Sequence, residues 1–204
     1  MSGRRARITA LVLLPVALIA ACDGGSDPAP PPVTTTASTP PTTSTDPAAQ
    51  APRVTTPLNA DRFIADPCLS LTAAQQQQFG MTRTEKKEFG EAISCFYGYP
   101  NRTPTASVVA YATEVPIGLS YRYAQHARGS YNYWEPTVLD GYPAVGYTAS
   151  KDTGPGPIYC DFAVGVTDTL FFWVTADDTP GTAKCSTAKD MASTVLSNIK
   201  ADQK

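Results

Sequence analysis

The chain has 204 residues, 17% of them charged, and a formal net charge of −2, which leaves room for one ordinary domain or two small ones. Setting aside the first 21 residues and the proline-rich stretch behind them, 148 residues remain from Pro57, enough for a core of their own. That part carries 15 Asp and Glu against 12 Lys and Arg, so no basic stripe is left to track phosphates and a nucleic-acid partner is excluded.

The N-terminus sets Arg4, Arg5 and Arg7 before an apolar run of 14 residues, Ile8 to Ala21. A membrane-spanning helix needs roughly 20 residues, so the run fits a signal peptide over residues 1–21 better than a span. Ile19-Ala20-Ala21-Cys22 resembles the bacterial lipobox, in which the cysteine thiol takes a diacylglycerol and the signal is cut off before it. A plain secretory signal with an incidental cysteine is the alternative. Cysteine arithmetic supports the lipobox: of five cysteines, assigning Cys22 to lipid leaves the even set that disulfides require. The expected place is the extracytoplasmic face of the cell membrane, with the lipid as the membrane partner.

Residues 22–56 then read as the lipidated cysteine and a stalk, with Pro28-Ala-Pro-Pro-Pro-Val-Thr-Thr-Thr36 and Ser38-Thr-Pro-Pro-Thr-Thr-Ser-Thr45. Almost no large apolar side chain is present to offset the entropy of folding. Proline biases such a segment toward extended polyproline II at roughly 3 Å per residue, so ~35 residues reach up to about 100 Å. The Thr-Pro clusters suit O-linked sugars as well as an unmodified spacer.

From Pro57 the chain reads as one α+β domain, a mostly antiparallel sheet with an N-terminal and a C-terminal helix packed on one face of it. Thr72 with Gln75 makes a capping box before Ala73-Ala-Gln-Gln-Gln-Gln-Phe79, and Gly80 is placed as its stop. Strand-like runs follow at Ile93–Tyr99, Ala106–Ala112, Tyr131–Leu139, Ala144–Ala149, Tyr159–Thr167 and Leu170–Ala176. Asp140-Gly141 and Thr167-Asp168 suggest hairpin turns, and Asp177-Asp178 reads as turn chemistry. Pro116 to Arg128 fits either a loop or a short helix. Cys185, Ala188, Met191, Ala192, Val195, Leu196 and Ile199 make an apolar stripe over Thr182 to Lys200, an amphipathic helix lying on the core.

Four cysteines allow three pairings. Neighbour pairing, Cys68–Cys95 and Cys160–Cys185, ties each terminal helix to a strand. Zinc is disfavoured because no Cys-x-x-Cys pair exists. No metal or cofactor is expected.

These residues resemble the actinobacterial lipoproteins of the domain-of-unknown-function 3558 family. The resemblance rests on the lipobox, the Thr/Pro stalk, Asp66-Pro67-Cys68-Leu-Ser-Leu-Thr72, Ser94-Cys95-Phe96, Leu139-Asp-Gly-Tyr-Pro-Ala-Val145, Cys160-Asp-Phe-Ala-Val-Gly-Val166 and Cys185 opening the last helix. Phe96-Tyr97 departs from it, since such proteins often carry a tryptophan there. The resemblance implies location and fold class and brings no activity.

His126 is the one histidine, and no Gly-x-Ser-x-Gly elbow accompanies it, so a Ser-His-Asp triad is not indicated. It reads as a solvated surface residue. The unusual feature is a run of rings: Tyr121, Tyr123, Tyr131, Tyr133 and Trp134, interleaved with Arg122, Arg128 and Asn132. Such rings beside hydrogen-bonding groups can cradle an envelope glycan, a lipid or an exported protein. They can equally fill a core and turn their hydroxyls to solvent, the more common outcome. The expected function is a non-enzymatic binding or interaction module. The alternatives are an envelope hydrolase with an unrecognised carboxylate pair and a purely structural envelope protein. Two acids facing each other in a cleft would favour the hydrolase.

Overall fold

Seven strands join in one antiparallel sheet. The computed structural model describes residues 50–89, 92–100, 102–149, 158–178 and 185–203; the segment expected to be a signal peptide, Cys22 and the Thr/Pro clusters of the expected stalk lie outside the described residues. The elements in chain order are α1 (Asp61–Ala65), a 3-10 turn (Pro67–Ser70), α2 (Ala73–Gln78), β1 (Arg83–Phe89), β2 (Ala92–Tyr99) and β3 (Arg102–Tyr111). Then come α3 (Ser120–Ala127), β4 (Tyr133–Leu139), β5 (Tyr142–Thr148), β6 (Ile158–Gly165), β7 (Phe171–Asp178) and α4 (Ser186–Ala201). The strand order β1-β2-β3-β7-β6-β5-β4 describes two meanders joined where β3 pairs β7. α3 lies on the connection from the sheet's centre to its far edge.

Parity assigns the faces, because successive side chains of a strand point to opposite sides. Cys95, Val109, Val174 and Phe162 lie in one cross-strand row, and Tyr111, Phe172, Val164 and Ala144 in the next. All are buried in one core with Met191, Ala192, Val195, Leu196 and Ile199 of α4. Each large aliphatic side chain so buried contributes roughly 1.5–3 kcal/mol. The expected stripe on α4 is the face that meets β6 and β7.

The N-terminal packing differs from expectation. α2 has its capping box, with the Gln75 N–H donating to Thr72 Oγ1 and the Thr72 N–H donating to Gln75 Oε1, and Gly80 stops it at φ +74°. Yet no residue of α2 is buried, because its run of glutamines offers the sheet no apolar stripe. The 3-10 turn packs there instead. Asp66 caps it, the Cys68–Cys95 disulfide staples it to β2, and Ser70 shares a 2.8 Å hydrogen bond with the buried Tyr111 hydroxyl. Tyr97, in the Phe96-Tyr97 pair that departs from the family resemblance, is also buried and donates its hydroxyl to Pro67 O at 3.2 Å. Desolvation pushes both phenols well above the ordinary tyrosine range.

Two boundaries also move, and one strand is new. The domain begins before Pro57: the Ala51 N–H donates to Ser120 Oγ, the Val54 N–H to Asp168 and the Leu58 N–H to Val166 O, and Val54 and Leu58 are buried. A segment that reads as stalk thus finds apolar cover once the sheet exists. Asp177 and Asp178 end β7 rather than forming a turn. β1, Arg-Thr-Glu-Lys-Lys-Glu-Phe, is an unexpected strand, paired residue for residue with β2 from Arg83 to Phe89. Its charges suit a sheet edge, where they discourage pairing with other chains. At the opposite edge β4 carries Pro136, a residue that fits only edge positions.

Asp140-Gly141 does form the β4–β5 turn, with φ +50° and +89°. Two successive left-handed residues are what the tight hairpin turn demands. The Cys160–Cys185 disulfide joins β6 to the start of α4, with 5.1 Å between the Cα atoms.

Candidate functional site

The five rings of the sequence run do not form one patch. Tyr121 and Tyr123 on α3, with Tyr131 and Trp134, pack on the sheet face opposite α4. Tyr133, one residue from Trp134 on β4, points through to the other face and packs against the main core.

On the first face, His126 lies stacked on Trp134 at 4.4 Å, Tyr131 is parallel to the same ring, and Tyr123 meets it edge-on at 5.0 Å. The layer is built around Arg122. Its guanidinium lies 4.9 Å from the Trp173 ring centroid, 5.2 Å from Tyr147, 5.3 Å from Phe171 and 5.6 Å from Tyr121. Nη1 donates to Gln125 Oε1 at 3.0 Å, and that oxygen also accepts from Tyr131. Burial works against the charge of Arg122, but Tyr147, Tyr131 and Asp161 outweigh it and its pKa is raised. Asp161, beside Tyr147 on the next strand, is raised chiefly by desolvation, against the pull of the Thr175 hydrogen bond and of Arg122. Tyr147 is pushed well up by burial, then by Asp161.

This arrangement seats α3. The helix has no fully buried residue, so aromatic and cation–π contacts carry its packing, at roughly 0.5–2 kcal/mol each. Arg122 Nε and the Tyr147 hydroxyl are buried without a partner. Both lie sealed under the rings, so no ligand reaches them while α3 is seated. His126 is exposed, as the sequence implied.

The other face holds a cleft. α4 covers β6 and β7 and leaves a space of about 420 Å³ between its first turn and the edge strand β4. Gly146, Phe162 and Cys185 contribute its apolar lining. Tyr133, Glu135 and Thr137 form the β4 wall, and Ser186, Lys189 and Asp190 form the α4 wall. Strand parity places Tyr133, Glu135 and Thr137 together on this face, and the Tyr133 hydroxyl donates to Glu135. A Cβ added at Gly146 would sit 3.4 Å from both Phe162 and Cys185, so any larger residue there would fill the floor. Cys185, the N-cap of α4, holds a left-handed backbone at φ +61°, uncommon for a non-glycine residue. The disulfide to Cys160 fixes that turn beside the cleft.

A family model described as "Protein of unknown function (DUF3558)" matches residues 17–198. The chain belongs to the DUF3558 family. No curated protein and no solved structure matches it.

In this DUF3558 domain the motifs that carry the resemblance build the frame. Asp66 to Thr72 makes the 3-10 turn with its caps, Leu139 to Tyr142 the hairpin, and Cys160 to Val166 most of β6. Of those motifs only Phe162 and Cys185 reach the cleft. Its polar walls lie elsewhere, on β4 and α4. Sequence reasoning missed Glu135, Lys189 and Asp190, since only parity on β4 and the closeness of an edge strand to the first turn of α4 unite them. Among the described residues, no group of three or more His, Cys, Asp and Glu lies together, and no helix is long and apolar enough to cross a membrane.

Proposed function

We propose that the protein is a lipid-anchored, extracytoplasmic binding module, without catalysis, whose ligand site is the β4–α4 cleft. What carries this reading is the polarity of the domain. Residues 51–58 enter beside the β6–β7 turn, through Arg53 and Val54 on Asp168 and Leu58 on Val166. The β4–β5 turn shares that end of the sheet, as the register Ala144↔Val164 requires. The cleft lies toward the other end, where β4 begins and α4 starts. The chain before residue 51 therefore joins the domain at the end away from the cleft, which leaves the cleft free for an envelope component or an exported partner. Palmitate labelling tests the anchor: the wild type takes label and Cys22→Ser does not. A Thr137→Trp change, which fills the cleft from an edge strand tolerant of aromatics, tests the site by pull-down from the native envelope. Equal capture by wild type and variant would sink the assignment.

A second reading has one observation in its favour: Glu135 and Asp190 lie on opposite walls of the cleft, as a glycoside hydrolase arranges its two carboxylates. Both are exposed, however, and a general acid needs an apolar enclosure to keep its proton near neutral pH. Incubation with cell-wall fragments separates the readings: released sugars that disappear in Glu135→Gln would establish the hydrolase.

A further inference from the structure

We propose, resting on the reading of the cleft as the ligand site, that its ligand is a short saccharide. Three classes of occupant compete, and the walls discriminate among them. An acyl chain needs a continuous apolar lining, yet both long walls are polar, and covering Glu135, Lys189 and Asp190 with hydrocarbon leaves charges without hydration. An extended peptide gains its affinity by adding a strand to a sheet edge. The edge beside the cleft is β4, interrupted by Pro136, which has no N–H. A sugar meets neither obstacle. One of its C–H faces packs on the ring of Tyr133, over a floor closed by Gly146 and the edge of Phe162, and its hydroxyls donate to carboxylates on both sides.

The Tyr133–Glu135 hydrogen bond pre-sets one such contact, since it fixes ring and carboxylate together on β4 before any ligand arrives. Asp190 supplies the acceptor across the cleft, and Lys189 beside it supplies a donor for ring or acetamido oxygens. A volume of about 420 Å³ lies at the small end of the ~300–1,000 Å³ usual for small-molecule sites, so a short unit fits better than a long polymer.

The test uses the full acylated chain in detergent micelles, titrated with diacetylchitobiose and cellobiose as probes and followed by amide NMR. At least one disaccharide should shift Gly146, Phe162 and Asp190 in a saturable way. Glu135→Gln and Asp190→Asn should each weaken that binding about tenfold, as expected for a lost charge-assisted hydrogen bond. Thr137→Trp should abolish the shifts while leaving the Arg122 face unchanged. If neither sugar shifts these residues while Thr137→Trp still removes capture of an envelope component, the ligand class is wrong and the cleft reading survives. If Thr137→Trp changes neither sugar shifts nor capture, the cleft reading fails and this inference fails with it.

Discussion

The two faces of the β4–β7 meander use similar residues for opposite ends. Beneath α3, rings, a guanidinium and a carboxyl are packed until the polar atoms are sealed in. Beneath α4, a helix with a continuous apolar stripe needs no such layer, and its first turn stands clear of β4 to leave a lined space. A conspicuous aromatic run is thus the sign of a helix too polar to seat itself by aliphatic packing. The open site arises where helix packing stops short of the sheet edge. Breaking each face separately should therefore separate stability from binding.

The largest effect is expected from the covalent bonds. The bridges span 27 and 25 residues, and loops of that size are worth about 3–4 kcal/mol each in the chain-entropy model. Paired Cys→Ala replacement at Cys160 and Cys185 should lower stability in urea by about that amount. It should also loosen the start of α4, so any binding in the cleft should weaken too. Replacement at Cys68 and Cys95 should cost a similar amount and leave binding intact.

Next in size is Trp134→Ala. The ring contacts His126, Tyr123, Tyr131 and Tyr147 at once. Full burial of such a ring is worth 3–5 kcal/mol, and a half-buried one about 2–3 kcal/mol. Urea melts should show that loss, and hydrogen exchange should show α3 opening without global unfolding.

Asp161 gives a smaller, pH-dependent term. Desolvation raises its folded pKa above the ordinary 3.8, so between the two values the folded state holds more proton than the unfolded chain. Its contribution is therefore most favourable at low pH and falls as pH rises through that window, becoming constant above the folded value. Asp161→Asn keeps an acceptor for Thr175 and removes the titration. The variant's stability minus that of the wild type should rise from acid toward neutral pH and then level off. A difference that is flat with pH would refute the role of Asp161.

Much of the frame was legible in the residues, and the reasons are local. The capping box at Thr72, the Asp140-Gly141 turn and the stripe on α4 are each set within a few positions, and the cysteines pair as neighbours in sequence, the favoured of three pairings. β1 was hidden because Arg-Thr-Glu-Lys-Lys-Glu-Phe has no strand signature of its own and forms a strand by pairing with β2. The true start of the domain was hidden because Val54 and Leu58 are isolated apolar residues in a proline-rich context, and only the finished sheet gives them cover. The cleft could not be read at all. Its walls lie 55 residues apart in sequence, from Glu135 to Asp190, and the register of three strands brings them together. One part of the aromatic cluster was within reach: Tyr133 and Trp134 are adjacent in a strand, so they cannot share a face.

That parity yields the smallest expected stability change. Tyr133 is half-buried at the margin of the main core, on an edge strand with an open space beside it. Removing its ring leaves no sealed cavity, so Tyr133→Ala should cost about 1 kcal/mol or less in urea, against two to three times that for its neighbour Trp134. Binding should reverse the order. Tyr133→Ala removes a wall of the cleft and the group that orients Glu135, so the amide shifts produced by ligand should shrink or vanish. Trp134→Ala should retain them, since its ring faces the other way. If the two variants weaken binding equally, the rings act as one surface and the division between packing face and binding face is wrong.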